Sequence, residues 1–266
     1  MDKTGIFKKN HSEKILSVKI STLTKREILK LIALRAKNNK QTIIFTPNPQ
    51  ILLKAQSSKE LTLLLNSSFI NVPDGIGIVI ASKLLKGKIR SRISGIDLAE
   101  SILLLAQKQS YNVFLLGAEP TIAKKASIRL KKRFPALKIC GTHHGYFNKS
   151  GKENQKIIRA IQKAKPDIIF VCMGCPAQEK WIIDNASSLP SVKIFIGLGG
   201  SLDVWAGKVD RAPSLFKITG FEWLWRVIQD PKKAKIFLDI PIFTLKIIKE
   251  KIKGAASFSA EQKHTK

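Results

Sequence analysis

The stretch Lys165-Pro-Asp-Ile-Ile-Phe-Val-Cys-Met-Gly-Cys-Pro-Ala-Gln-Glu-Lys-Trp181 decides the fold. Its centre, Asp167–Cys172, is apolar after the first residue and rich in β-branched residues, too short for a helix and without a polar face. Such a run is a strand buried on both sides. Gly174 and Pro176 then break the strand, and a helical pattern follows over Pro176–Ser187. A fully buried strand running through a tight turn into a helix is the unit of a parallel sheet covered on both faces.

Working outward, the same alternation recurs. Strand runs are expected at Ile15–Ile20, Thr42–Thr46, Phe69–Val72, Asn112–Leu116, Leu137–Gly141 and Val192–Ile196. Between them lie helix patterns at Lys25–Lys37, Pro49–Ala55, Gly75–Leu85, Ile96–Lys108, Thr121–Arg133 and Lys152–Ala164. The fold class is therefore α/β, a Rossmann-like, mostly parallel sheet with helices on both faces. From Pro213 onward strand runs cease and helical patterns rich in aromatic and basic residues take over; Phe221, Trp223, Trp225, Phe237 and Phe243 can sit at a membrane interface or pack onto the core as an ordinary final helix. We divide the chain into a polar lead (1–14), an α/β catalytic domain (15–212), a helical membrane-associating appendage (213–254) and a disordered tail (255–266).

Charge narrows the partners. The 266 residues carry 47 Lys and Arg against 19 Asp and Glu, a formal net charge of +28. A chain so basic is drawn to polyanions or to an anionic membrane surface. No helix-turn-helix, RNP or zinc-finger pattern is present, so nucleic acid is not the expected partner, and a basic binding protein without catalysis stays as the alternative. Three cysteines make no disulfide framework. The N-terminus lacks the apolar region of a signal peptide, and no run reaches the roughly 18 apolar residues of a membrane span. The longest apolar stretch, Ile236–Ile248, is broken by Asp239, Pro241 and Lys246. The expected location is cytoplasmic and peripheral, at the inner face of the cell membrane.

Ligands of a parallel sheet bind beyond the carboxyl ends of its strands, which selects four segments. In Thr46-Pro47-Asn48-Pro49, Asn48 can cap the next helix with Pro49 in its first turn. In Val72-Pro73-Asp74-Gly75, Asp74 is either a turn residue or a carboxylate able to take a proton. In Cys172-Met-Gly-Cys175, the cysteines are either small buried residues or a redox pair, while Gln178 and Glu179 suit the first turn of the helix. In Gly197-Leu-Gly199-Gly200-Ser201-Leu-Asp203, glycines ahead of a helix let backbone N–H groups approach a phosphate, although neither the dinucleotide nor the P-loop spacing is met. There is no Asp-x-Asp pair, and the histidines show no metal-ligand spacing. No metal and no cofactor are expected.

In series, TPNPQ (46–50), PDGIG (73–77), RISGIDL (92–98), FLLGA (114–118), HGYF (144–147), KPDIIFVCMGCPAQEKW (165–181), GLGGSLDVWAG (197–207), RAP (211–213) and FEWLWR (221–226) resemble the WecG/TagA/CpsF family of glycosyltransferases, glycosyltransferase family 26. The resemblance runs from about residue 15 to 250. It implies an inverting, metal-independent transfer from a UDP-sugar to an undecaprenyl-diphosphate-linked sugar, in cell-envelope polysaccharide or teichoic-acid-type polymer synthesis. Asp74 matches the general base, and Thr46 and Asn48 match residues near the sugar and the base. Arg92 and Gln178 match residues lining the donor pocket, and Asp203 one contacting the uridine. Gly199, Gly200 and Arg211 fall among the substrate-binding positions. Arg226 matches an appendage arginine that closes over the site and neutralises the diphosphate. The chain departs from the family at Lys232, Lys233 and Lys235, where arginines are common, and at Cys172 and Cys175. An active site completed by a mobile appendage admits a homo-oligomer that is shut and a membrane-bound monomer that is open.

Overall fold

The computed structural model describes residues 11–264, with side chains except those of Arg226, Lys232, Lys233 and residues 254–264. Residues 1–10 of the polar lead lie outside it. In chain order the elements are β1 (Ser12–Ile15), β2 (Val18–Ser21), α1 (Lys25–Lys37), β3 (Thr42–Phe45), α2 (Pro49–Gln56), α3 (Lys59–Asn66), β4 (Ile70–Asn71), α4 (Ile76–Leu84), α5 (Gly95–Gln109) and β5 (Asn112–Gly117). There follow α6 (Ile122–Arg133), β6 (Lys138–His143), α7 (Gly151–Ala164), β7 (Ile168–Cys172), α8 (Ala177–Asn185), β8 (Ile194–Gly197), α9 (Ser201–Trp205), α10 (Ser214–Thr219), α11 (Glu222–Gln229) and α12 (Ile236–His264).

The all-apolar runs form one six-stranded sheet of order β4-β3-β8-β7-β5-β6, and every pairing in it is parallel. Strand β7 shows why the runs lack a polar face. Ile168 and Phe170 join a core with α1, α5, α6 and α9. Ile169 and Val171 join a second core with α2, α3, α4, α7 and α8. The period-2 alternation thus feeds two apolar layers, and all four side chains are fully buried. Strand β8, late in the chain, is inserted between β3 and β7, so the sheet winds outward on either side of it.

Two expectations are corrected. Ile15–Ile20 is not one strand but the heart of an antiparallel hairpin, in which Ile15 pairs with Val18. Leu16 and Ser17, both at positive φ, make the turn. Neither is an Asn or Gly, so the residues gave no turn warning. Lys59–Asn66 is an additional helix, capped by the Ser58 side chain, and the strand that follows it spans only Ile70–Asn71.

The appendage is helical and docked. Gly220 turns α10 into α11 at φ +82, and a Cβ there would come within 2.8 Å of Ile76 on α4, so both conformation and space demand glycine. Phe243 and Ile247 of α12 are buried in the second core. Gln50 donates to Asp239 at 2.7 Å, and the backbone N–H of Leu16 donates to Glu250 at 3.1 Å. Phe243 is therefore a core residue rather than an interface aromatic. Trp223 packs edge-on against Phe237 at 5.4 Å. The exposed apolar surface is largely aliphatic, with Leu215, Ile218, Leu238, Ile242, Leu245 and Ile252. Among the described residues no helix is long and apolar enough to cross a membrane. The helical backbone of α12 continues to His264, through the stretch expected to be disordered, because nothing after Gly254 breaks a helix.

Candidate active site

The sheet order brings together the carboxyl ends of β4, β3, β8 and β7, four adjacent strands. These are the four segments singled out from the sequence. A polar cavity of about 210 Å³ lies over them, lined by Thr46, Asn48, Asp74, Gln178, Gly199, Gly200, Asp203 and Arg211. Asn48 does cap α2, its Oδ1 accepting from the Ile51 N–H at 3.0 Å. That bond leaves the amide nitrogen for the cavity. Thr46 donates its hydroxyl to the Gly197 carbonyl at 3.1 Å, tying β3 to β8. A Cβ on Gly95 would lie 3.0–3.3 Å from Thr46, so α5 starts against that side chain only because residue 95 is glycine. Asp74 is half-buried, on a turn whose backbone N–H bonds to the Pro47 carbonyl at 3.2 Å.

Gln178 is fixed at both ends of its amide. Its Oε1 accepts from the Gly199 N–H at 2.8 Å, and its Nε2 donates to Glu179 Oε1 at 2.9 Å. One side chain thereby sets the glycine loop after β8 from the start of α8.

Arg92 is the exception. It does not line the polar cavity but the wall of a neighbouring cleft. Its guanidinium is paired with Glu222 at 3.1 Å and donates to the Lys217 carbonyl. Arg92 sits between α4 and α5, facing the appendage, and its charge is used to hold α10 and α11. The Arg226 side chain lies outside the described residues, as do those of Lys232 and Lys233. Its neighbours on α11, Glu222 and Trp225, line the polar cavity, and Lys235 is exposed.

Residues 13–257 match the model of the glycosyl transferase WecG/TagA/CpsF family. The chain belongs to that family. It is similar to N-acetylglucosaminyldiphosphoundecaprenol N-acetyl-beta-D-mannosaminyltransferase of Bacillus subtilis strain 168, at 36% identity over 84% of this chain and 86% of that one. The protein of the same name from Staphylococcus aureus strain MRSA252 is 39% identical over 79% of this chain and 81% of its own. A WecG/TagA/CpsF glycosyltransferase must hold an activated sugar, take a proton from an acceptor hydroxyl and stabilise the departing group.

The electrostatics of this family member's cavity run against the chain's overall charge. Asp74, Asp203, Asp210 and Glu222 line it, and Arg211 is the cationic side chain among the described lining. Arg211 is itself paired with Asp97 and, at 3.6 Å, with Glu100. Among the described residues no group of three His, Cys, Asp or Glu could hold a metal ion.

Two further groups behave as buried residues. Burial pushes the Cys172 and Cys175 thiols up to about 12, so both stay protonated at neutral pH, and a redox pair needing a thiolate is not what they make. Burial likewise raises the Glu179 carboxyl above the ordinary range; the residue is 1% exposed. Glu222, Trp225 and Gly95 were not picked out as site residues. FEWLWR and RISGIDL contain them, but nothing in residue type announced an ion pair or a close approach.

Proposed function

We propose that this chain transfers N-acetylmannosamine or a related sugar from a UDP-sugar to the sugar of an undecaprenyl-diphosphate-linked acceptor, with inversion and without a metal ion. The observation that carries the reading is the place of Asp74: on the rim of the polar cavity, at the carboxyl edge of the sheet, beside Asn48 and Thr46. The printed names of the relatives supply the sugar and the lipid-linked acceptor.

In this mechanism the Asp74 carboxylate accepts the proton of the acceptor hydroxyl. The oxygen attacks the anomeric carbon, and the bond from that carbon to the UDP oxygen breaks, its electron pair leaving with UDP. General-base assistance contributes on the order of 10² to 10⁴ in rate. The diphosphate gains negative charge as it leaves, and the described lining is acidic. The family resemblance assigns the compensating cation to Arg226 of α11, since an arginine can hold a phosphate bidentately. Thr46 and Asn48 position the sugar, Gln178 sets the loop of Gly199 and Gly200 against the diphosphate, and Asp203 takes the uridine.

The appendage also supports peripheral membrane association. Leu215, Ile218, Leu238, Ile242, Leu245 and Ile252 are exposed on it, alongside Lys246, Lys249, Lys251 and Lys253. Each lysine near an anionic surface contributes about 1 kcal/mol. A nucleotide donor places the enzyme at the inner face. Thermal shift against a panel of UDP-sugars tests the donor assignment: a cognate donor at 100 times its Kd stabilises by about 2.7 kcal/mol, whereas no shift with any UDP-sugar overturns it.

A further inference from the structure

Beside the polar cavity lies a second one of about 280 Å³, different in kind. Its walls are Ile76, Ile80 and Leu84 from α4 facing Ile240, Phe243 and Ile247 from α12. Asn48, Asp74 and Glu222 line both cavities. The two spaces therefore meet at the carboxylate assigned as the base, one polar and built by strand ends, the other apolar and built by the docked appendage.

An apolar hollow between a core helix and a docked helix forgoes contacts that close packing would give. The hollow is not a packing fault of a polar helix, because α12 is apolar on two sides. Positions 236, 240, 243 and 247 point at the cleft, and 238, 242 and 245 lie on the opposite, exposed side. A helix with apolar residues on two opposite faces suits one that is apposed to nonpolar matter on both sides. The occupant must also present a hydroxyl to Asp74 at the cleft's polar mouth, where Asn48 and Gln50 stand. A sugar joined through a diphosphate to a hydrocarbon chain meets both demands.

We propose that this cleft receives the proximal isoprenoid units of the lipid-linked acceptor. The acceptor then reaches Asp74 from the appendage side, and the nucleotide sugar reaches it from the sheet side. The inference rests on the functional reading above and names the path of its second substrate.

The test uses the full chain, without vesicles, and N-acetylglucosamine diphosphate acceptors carrying one, two or three isoprene units, all below micelle-forming concentration. The expected result is a kcat/KM at least tenfold higher for the three-unit chain than for the one-unit chain. Ile80→Trp, which narrows the cleft, and Ile240→Asp, which makes it polar, are expected to bring that ratio to within twofold of unity. Both positions are partly exposed, and UDP affinity equal to wild type certifies each fold. A ratio that survives in both variants, or no chain-length dependence in the wild type, overturns the proposal while leaving the transfer reaction standing. No transfer to any acceptor by the wild type would instead overturn the functional reading itself. Variants that change the oligomeric state but keep the ratio would assign the cleft to a second copy of the chain, against the proposal.

Discussion

The polar cavity and the apolar cleft meet at Asp74, yet they are held open by different things. The polar cavity is a consequence of topology: inserting β8 between β3 and β7 aligns four strand ends, and backbone ties such as Thr46 to Gly197 fix their spacing. The cleft is a consequence of docking. It exists only while α12 lies against α2 and α4, held by Phe243, Ile247, the Gln50–Asp239 bond and the Arg92–Glu222 pair. The floor of the polar cavity is therefore set by the sheet, whereas the cleft, together with the Glu222 and Trp225 wall of the polar cavity, can be opened by releasing the appendage. Under the proposed function, the difference separates binding of the nucleotide from completion of the reaction.

The sharpest way to test that division is at the shared residue. Asp74→Asn is expected to lower kcat by 10² to 10⁴ while UDP affinity, measured by calorimetry, stays within a few-fold of wild type. A parallel loss of UDP binding would mean that the two sides are not separable. Next in size is deletion of residues 213–266, which removes the cleft and spares the strand ends. Activity should fall tenfold to a hundredfold and sedimentation with anionic vesicles should be lost. A truncated chain that still sediments would place the membrane contact elsewhere.

Breaking the fastening has a smaller effect. Arg92→Ala leaves Glu222 unpaired in a partly buried position and frees the Lys217 carbonyl, costing about 1–2 kcal/mol of stability, seen as a lowered Tm. Arg92→Lys should rescue little, because an ammonium cannot hold Glu222 and the Lys217 carbonyl in one planar fork. The smallest effect belongs to the sheet side. Glu179 holds its proton more tightly in the folded state than in the unfolded chain. Its contribution is therefore full below the ordinary carboxylate pKa of about 4.3 and is lost as pH rises towards the raised folded value. Glu179→Gln keeps an acceptor for Gln178 and has no proton to lose. Its stability relative to wild type should rise with pH across that window. Denaturant midpoints that run parallel for the two proteins from pH 4 to 7 would contradict the burial account.

The same division governs what the residues disclosed by themselves. The strand ends were legible because each carries its own punctuation: Pro47 and Asn48, Pro73 and Asp74, Gly174 and Pro176, Gly199 and Gly200. Local chemistry marked the turns, and the rule for parallel sheets placed them on one edge. Eight of the ten expected site residues line one cavity for that reason. Arg92 went astray because its partner lies 130 residues away on a docked helix, which no local pattern can reveal. Phe243 read as an interface aromatic because α12 also carries Leu238, Ile242 and Leu245 on its exposed side, so the residues mark no single buried face. The hairpin turn at Leu16 and Ser17 was hidden because its positive φ values are imposed by the pairing of Ile15 with Val18 rather than by turn-forming residues.

The proposed mechanism requires two substrates to converge on Asp74 from opposite sides. A crystal structure of the full chain with UDP and a three-unit prenyl-diphosphate N-acetylglucosamine tests it most directly. The account predicts UDP over Gly199 and Gly200 in the polar cavity, the prenyl chain between Ile80 and Ile240, and the acceptor hydroxyl within about 3.2 Å of the Asp74 carboxylate. UDP seated between α4 and α12, or an Asp74 carboxylate turned away from both ligands, would contradict it.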